Sequence, residues 1–190
     1  ARNHMQSPLH DRLDAHNAVW GASFGLEVPL WFQRSGEEPI EDITFRRSNS
    51  FDVVADEVAA VRNGVGIFET TGYAKYEVTG PGARGWLDRV LTNHIPPTGR
   101  LALSPMLNRQ GKLIGDFTVG ALADPLDAET FMIFGSGPAQ QYHERWFRQE
   151  LIGVDDVSLR VCGNELAGLS IAGPAAREVL AELCDHDVSN

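Results

Sequence analysis

The residues best able to do chemistry in this sequence lie in the stretch MLNRQGKLIGDFTVG, Met106 to Gly120. Two apolar runs flank the turn residues Asn108-Arg109-Gln110-Gly111, as in a β-hairpin, yet Asp116 sits inside the second run. Aspartate is a poor strand former. A carboxylate within an apolar strand must be solvated, paired, protonated or at work. A turn over Asn108 to Gly111 sets Leu107 opposite Lys112, Leu103 opposite Asp116 and Leu101 opposite Thr118; a bulge would break that register. Alternation puts Leu113, Phe117 and Val119 on one face and Ile114, Asp116 and Thr118 on the other. A largely apolar face with a single carboxylate is how small-molecule pockets are lined. An edge strand with a wet polar face gives the same pattern.

Other motifs fall away. GSGPAQ, Gly135 to Gln140, has a strand before it and a helix after it, but Gln140 stands where a dinucleotide fingerprint needs its third glycine. GPGARG from Gly80 lacks the Gly-Lys-Ser/Thr ending of a phosphate loop. The six histidines do not cluster, and no Cys/His spacing fits zinc. Asp185-His186-Asp187 reads as a solvated turn. No metal is expected.

The elements that must position Asp116 follow from punctuation and periodicity. Ser7-Pro8 is a helix-start signal, predicting a helix over Pro8 to Trp20, ended by Gly21, then an aromatic-rich loop with Pro29 and Pro39 as breakers. A second helix is predicted over Phe51 to Arg62, with Val54, Val58 and Val61 on one face and Asn63-Gly64 as a left-handed stop. From Gly66 the pattern turns to strands: YAKYEV, then a helix after Gly80-Pro81, then the hairpin, then TFMIF. GPAQQYHERWFRQEL closes the series as a helix with Tyr142, Trp146 and Leu151 on its buried side.

A repeat organises these pieces. EVTGPGARGWLDRVL from Glu77 recurs as LSIAGPAAREVLAEL from Leu169, matching Gly80-Pro81 with Gly173-Pro174 and Ala83-Arg84 with Ala176-Arg177. Both copies read strand, Gly-Pro turn, helix, which suggests a duplicated unit. The expected organisation is residues 1–65 as a helical and loop segment, 66–151 as a first α+β repeat holding the Asp116 hairpin, and 152–190 as the start of a second, incomplete repeat.

Composition bounds the function. Of 190 residues, 43% are hydrophobic and 22% charged, enough apolar material for a sizeable core. A net charge of −10 with no basic patch beyond Arg46-Arg47 argues against a nucleic-acid groove. Cys162 and Cys184 make no disulfide framework, which favours a reducing compartment. No apolar run approaches a membrane span, and the opening ARNHMQSP lacks the apolar core of a secretion signal.

VGIFETTGYAKYEVTGPGARGWLDRVLTN, SPMLNRQGKLIGDFTV and LAGLSIAGPAAREVL resemble the folate-binding aminomethyltransferase family, which includes the glycine cleavage T-protein. PLWFQRSGEEP followed by FRRSNSFDVVADEVAAVRNGVGIFE is most similar to the folate domain in the C-terminal half of dimethylglycine and sarcosine dehydrogenases and oxidases. The resemblance implies an α+β fold, a duplicated strand-helix-strand folate-binding domain of the T-protein type, truncated here in its second repeat. It makes Asp116 the essential carboxylate and aligns Tyr73, Leu103, Met132 and Phe134 with pocket positions on the pterin side. Some relatives carry tyrosine where Leu103 stands, and many T-proteins carry a second acidic residue where this chain has Gly115. The family's pterin-binding glutamate falls after Asn190.

The implied cofactor is tetrahydrofolate, with FAD only if a separate upstream domain exists. The implied activity is capture of the iminium carbon from dimethylglycine or sarcosine oxidation as 5,10-methylenetetrahydrofolate. The implied partners are a small amine-derived substrate and the remainder of the chain or a flavin domain, with no nucleic acid and no membrane. The implied location is the cytoplasm, or the mitochondrial matrix in a eukaryote. Two alternatives stand beside it: a free-standing folate-dependent methyltransferase or demethylase, and a non-catalytic folate-binding module.

Overall fold

The computed structural model describes residues 4–123, 129–185 and 187–188. His186 of the polar run near the end lies outside the described residues. In chain order the elements are α1 (His10–Ala15), β1 (Ala18–Ser23), β2 (Leu26–Phe32), α2 (Ser50–Asn63), β3 (Gly66–Glu69), β4 (Ala74–Thr79), α3 (Ala83–Val90), β5 (Leu101–Leu107), β6 (Leu113–Leu122), β7 (Thr130–Gly135), α4 (Gln140–Glu150), β8 (Ser158–Val161), β9 (Leu169–Ala172) and α5 (Ala176–Leu183). They form two compact units, one of residues 1–72 with 167–190 and one of Tyr73–Leu166.

In the first unit the N-terminal helix is shorter than its start signal suggested. Asn17 turns left-handed, with φ of 63°, and Trp20 enters β1 rather than ending a helix. β1 and β2 pair antiparallel. Phe24-Gly25, with φ of 50° and 93°, makes a two-residue turn whose twist suits a hairpin. Pro29 does not break the chain. It faces Trp20 where the register shifts, and in a two-stranded sheet each strand is an edge that can spare an N–H.

The second helix forms where expected, but its buried residue is Val53, clustered with Val19 and Trp31, and not the Val54–Val58 face, which is exposed. Gly64 ends it with φ of −144°, so the stop is not left-handed. β3 pairs antiparallel with β9 in the same unit.

The second unit is a five-stranded antiparallel sheet in the order β5-β6-β7-β4-β8. One face is dry. Tyr76 and Val78 of β4, Phe117 and Val119 of β6, and Phe131 and Ile133 of β7 are buried with Trp86 and Leu87 of α3 and Phe147 of α4. Phe147 is the hub, with ring centroids 5.3 Å from Tyr76, 5.2 Å from Phe117 and 6.0 Å from Trp86. The fully buried residues of α4 are His143 and Phe147, four residues and so about one turn apart; of the expected set, Trp146 and Leu151 pack partly buried against the core, while Tyr142 is exposed.

The repeat is visible in backbone geometry. Gly80 and Gly173 both take positive φ, 115° and 122°. In each case the glycine carbonyl accepts the N–H three residues on, from Ala83 at 3.0 Å and Ala176 at 3.1 Å. An eight-residue helix then follows in both copies.

Candidate functional site

The hairpin register differs from the one expected. Asn108 Oδ1 accepts the N–H groups of Gln110 and Lys112, both at 2.9 Å, and the Asn108 N–H donates to the Lys112 carbonyl. The turn thus closes on Asn108 and Lys112, and Leu107 pairs with Leu113. The next pair is Met106 with Gly115, so Ile114 is an extra residue, a β-bulge. After it Pro105 faces Asp116 and Leu103 faces Thr118. The bulge also turns Ile114 into the core while Leu113 is exposed, so the expected grouping of Leu113 with Phe117 and of Ile114 with Asp116 does not hold.

Pro105 fits its place. Its carbonyl accepts the Thr92 N–H at 2.9 Å and the Thr92 hydroxyl at 3.0 Å, on the side away from β6. The peptide groups of Pro105 therefore point outward on an edge strand, where its missing N–H removes no rung of the ladder.

The face opposite the dry core carries the sequence-predicted residues. Pairing brings Leu103, Thr118, Phe134 and Lys75 into one row across β5, β6, β7 and β4. Leu101, Gly120, Met132, Glu77 and Arg160 make the next row. Asp116 stands beside the first row on β6, exposed, with Leu103 and Phe134 as its diagonal neighbours on either side, roughly 7–8 Å away in such a lattice. Leu103 is 73% exposed and Leu101 70%, while Met132 is buried. Leu101 leans over Gly120, where a Cβ would meet its Cδ2 at 2.8 Å.

Asp116, Leu103, Met132 and Phe134 thus share one sheet face. Tyr73 precedes β4 and lies outside the ladder, exposed, its carbonyl accepting the Lys75 ammonium at 2.9 Å. Asp116 is a solvent-facing carboxylate beside a row that mixes Leu103 and Phe134 with Thr118 and Lys75, not one enclosed by apolar side chains.

Two charged features of this face escaped the sequence reading. Lys75 is buried within β4. Arg160 bridges Glu77 at 3.1 Å and Glu165 at 2.8 Å. The alternating YAKYEV pattern places Lys75 and Glu77 on the face opposite Tyr76 and Val78, which is the signal that could have found them.

Behind Asp116, on the dry side, lies His143. It is 3% exposed, edge-on to Phe117 with ring centroids 4.8 Å apart. Burial holds its pKa below the usual imidazole range; a hydrogen bond to the Ile114 backbone and the charge of Asp116 oppose that shift. Among the described residues its Nδ1 has no hydrogen-bond partner.

Comparison with known proteins agrees with this architecture. The family model described as the GCVT N-terminal domain matches residues 9–190. The chain belongs to that family. Human mitochondrial dimethylglycine dehydrogenase is 31% identical over 97% of this chain and 21% of its own length. The 4-methylaminobutanoate oxidase (formaldehyde-forming) of Paenarthrobacter nicotinovorans is 31% identical over 100% of this chain and 22% of its own length. The glycine cleavage system aminomethyltransferase T of Bartonella henselae superposes with a TM-score of 0.71 at 20% identity, over 95% of this chain and 44% of that one. The chain therefore spans about a fifth of the length of the curated relatives it matches. The fold of this GCVT-type domain is the α+β fold of the T-protein, and its relatives include dimethylglycine and sarcosine dehydrogenases. Among the described residues, no helix is long and apolar enough to cross a membrane.

Proposed function

We propose that this domain takes part in tetrahydrofolate-dependent one-carbon transfer, capturing the iminium carbon from oxidation of dimethylglycine or sarcosine as 5,10-methylenetetrahydrofolate. The observation that carries this reading is the exposed Asp116 carboxylate with the apolar side chains of Leu103 and Phe134 on its diagonals, in a row that also holds Thr118 and Lys75. Such a surface fits a flat heteroaromatic group bearing N–H donors: Leu103 and Phe134 take the ring and the carboxylate takes a proton or an N–H bond. Tetrahydrofolate, when bound, supplies the nucleophilic amine nitrogen that accepts the one-carbon unit.

In this reading Leu103, Met132 and Phe134 hold the ring, and Tyr73 closes the pocket beside them. An Asp116 carboxylate oxygen accepts a hydrogen bond from the reacting amine and takes its proton as the new C–N bond forms, a role worth roughly 10²–10⁴-fold in rate. A flavin domain elsewhere in the protein would oxidise the amine and furnish the iminium. Residues 152–190 we read as the start of a second copy of the strand, Gly-Pro, helix unit; the matched geometry at Gly80 and Gly173 supports this. A reducing setting, cytoplasm or mitochondrial matrix, suits the free thiols of Cys162 and Cys184.

The test is Asp116→Asn in the full-length protein carrying this chain. Folate-coupled transfer falls by roughly two to four orders of magnitude, amine oxidation continues, and formaldehyde replaces the folate product. An unchanged product partition would remove Asp116 from the reaction.

A further inference from the structure

His143 offers the most that the proposed reaction does not already use. It projects from α4 under the hairpin with Nε2 toward the strand: a Cβ on Gly115 would stand 2.6 Å from that nitrogen and 2.8 Å from Phe117 Cζ. The ring also makes a hydrogen bond to the Ile114 backbone. Since Nδ1 has no partner among the described residues, and Nε2 is the nitrogen turned toward the strand, the donor is Nε2–H. Ile114 is the extra residue of the bulge, two positions before Asp116.

Packing alone does not call for histidine at this position. The surroundings are Phe117 and the backbone near Gly115 and Gly135, and an apolar ring would fill them without leaving a buried nitrogen unpaired. What histidine adds is a donor aimed at the one stretch of backbone that the bulge takes out of the regular ladder. Bulges re-aim the side chains beside them. A helix-borne donor that secures Ile114 therefore fixes where the following residues point.

We infer that His143 is a positioning residue: through Nε2–H and the Ile114 carbonyl it holds the β6 bulge in the conformation that presents Asp116 on the opposite face of the sheet. This rests on the proposed role of Asp116. The donor and the carboxylate lie on opposite sides of one strand, so His143 acts without touching the substrate or the folate.

The experiment compares His143→Phe, which keeps the ring and loses the donor, with His143→Gln, which keeps a donor, each alone and with Asp116→Asn, in the full-length protein. His143→Phe is expected to lower kcat for folate-dependent transfer about tenfold, the scale of a sub-ångström misplacement of a reacting group, with KM for tetrahydrofolate within about twofold. Amide hydrogen exchange across residues 113–118 should speed up in His143→Phe. His143→Gln should recover most of both effects, and in the Asp116→Asn background His143→Phe should leave the residual rate unchanged.

A wild-type kcat in His143→Phe while Asp116→Asn is inactive overturns the positioning role and leaves Asp116 standing. So does an additive loss in the double variant, or a His143→Gln protein as impaired as His143→Phe. If His143→Phe does not fold, His143→Gln against wild type decides, since a tenfold loss there contradicts a role for the donor. Full activity in Asp116→Asn defeats the reading of Asp116 itself, and this inference with it.

Discussion

Pro105 stands opposite Asp116 across the β5–β6 ladder, and Leu103 stands opposite Thr118. This pairing separates two neighbourhoods. Asp116 has a short ring with no donor across from it, and the long apolar side chains lie on its diagonals. An approaching ligand can therefore reach the carboxylate from above the sheet while resting on Leu103 and Phe134.

Leu103→Tyr follows from that arrangement. Leu103 is 73% exposed, and its carbonyl accepts the Asn93 side-chain amide at 2.9 Å through backbone that the substitution leaves in place. Stability should change by no more than about 0.5 kcal/mol, as for an exposed site. One added neutral hydrogen bond to bound folate should tighten binding by about 0.5–1.5 kcal/mol. Calorimetric titration of tetrahydrofolate into the full-length protein checks this, and a tenfold loss of affinity would show that a tyrosine on this row blocks the ligand.

Gly115→Ala tests the other face. The added Cβ points into the dry side and meets the His143 and Phe117 rings, neither of which is the free end of a flexible chain. Overpacking of this kind costs about 1–3 kcal/mol. Urea unfolding should show the midpoint falling with little change in slope. A Gly115→Ala protein as stable as wild type would contradict the placement of His143.

The buried His143 also predicts a pH dependence. Its pKa is lowered in the fold, so the unfolded chain binds the proton first as pH falls. Between the ordinary imidazole value and the depressed one the unfolded state carries more protons, and stability falls with pH. The contribution is intact above about pH 6.5, the ordinary imidazole value, and is lost progressively below it. Melting temperatures at pH 7.5 and 5.5 should therefore drop more for wild type than for His143→Phe. An equal drop in both would mean that His143 does not carry this dependence.

Much of this protein was legible because it is local. The Gly80-Pro81 and Gly173-Pro174 turns, the strand YAKYEV, the hairpin around Asn108 and the helix over Ser50–Asn63 are set by residues close in sequence: a glycine able to take φ near 120°, a proline opening a helix, a period of two or of 3.6. Asp116 as the odd polar residue of an apolar strand belongs to the same class. Other features depend on partners far along the chain. Trp20 joined β1 because Leu26–Phe32 offered a partner strand, against a start signal that favoured helix. His143 went inward because Phe117 lies across from it, a contact 26 residues away in sequence that periodicity on α4 does not encode. The register at Asp116 was decided by the Ile114 bulge. A bulge changes which side chains face the core while leaving the composition of the strand as it was, so only pairing with β5 could reveal it.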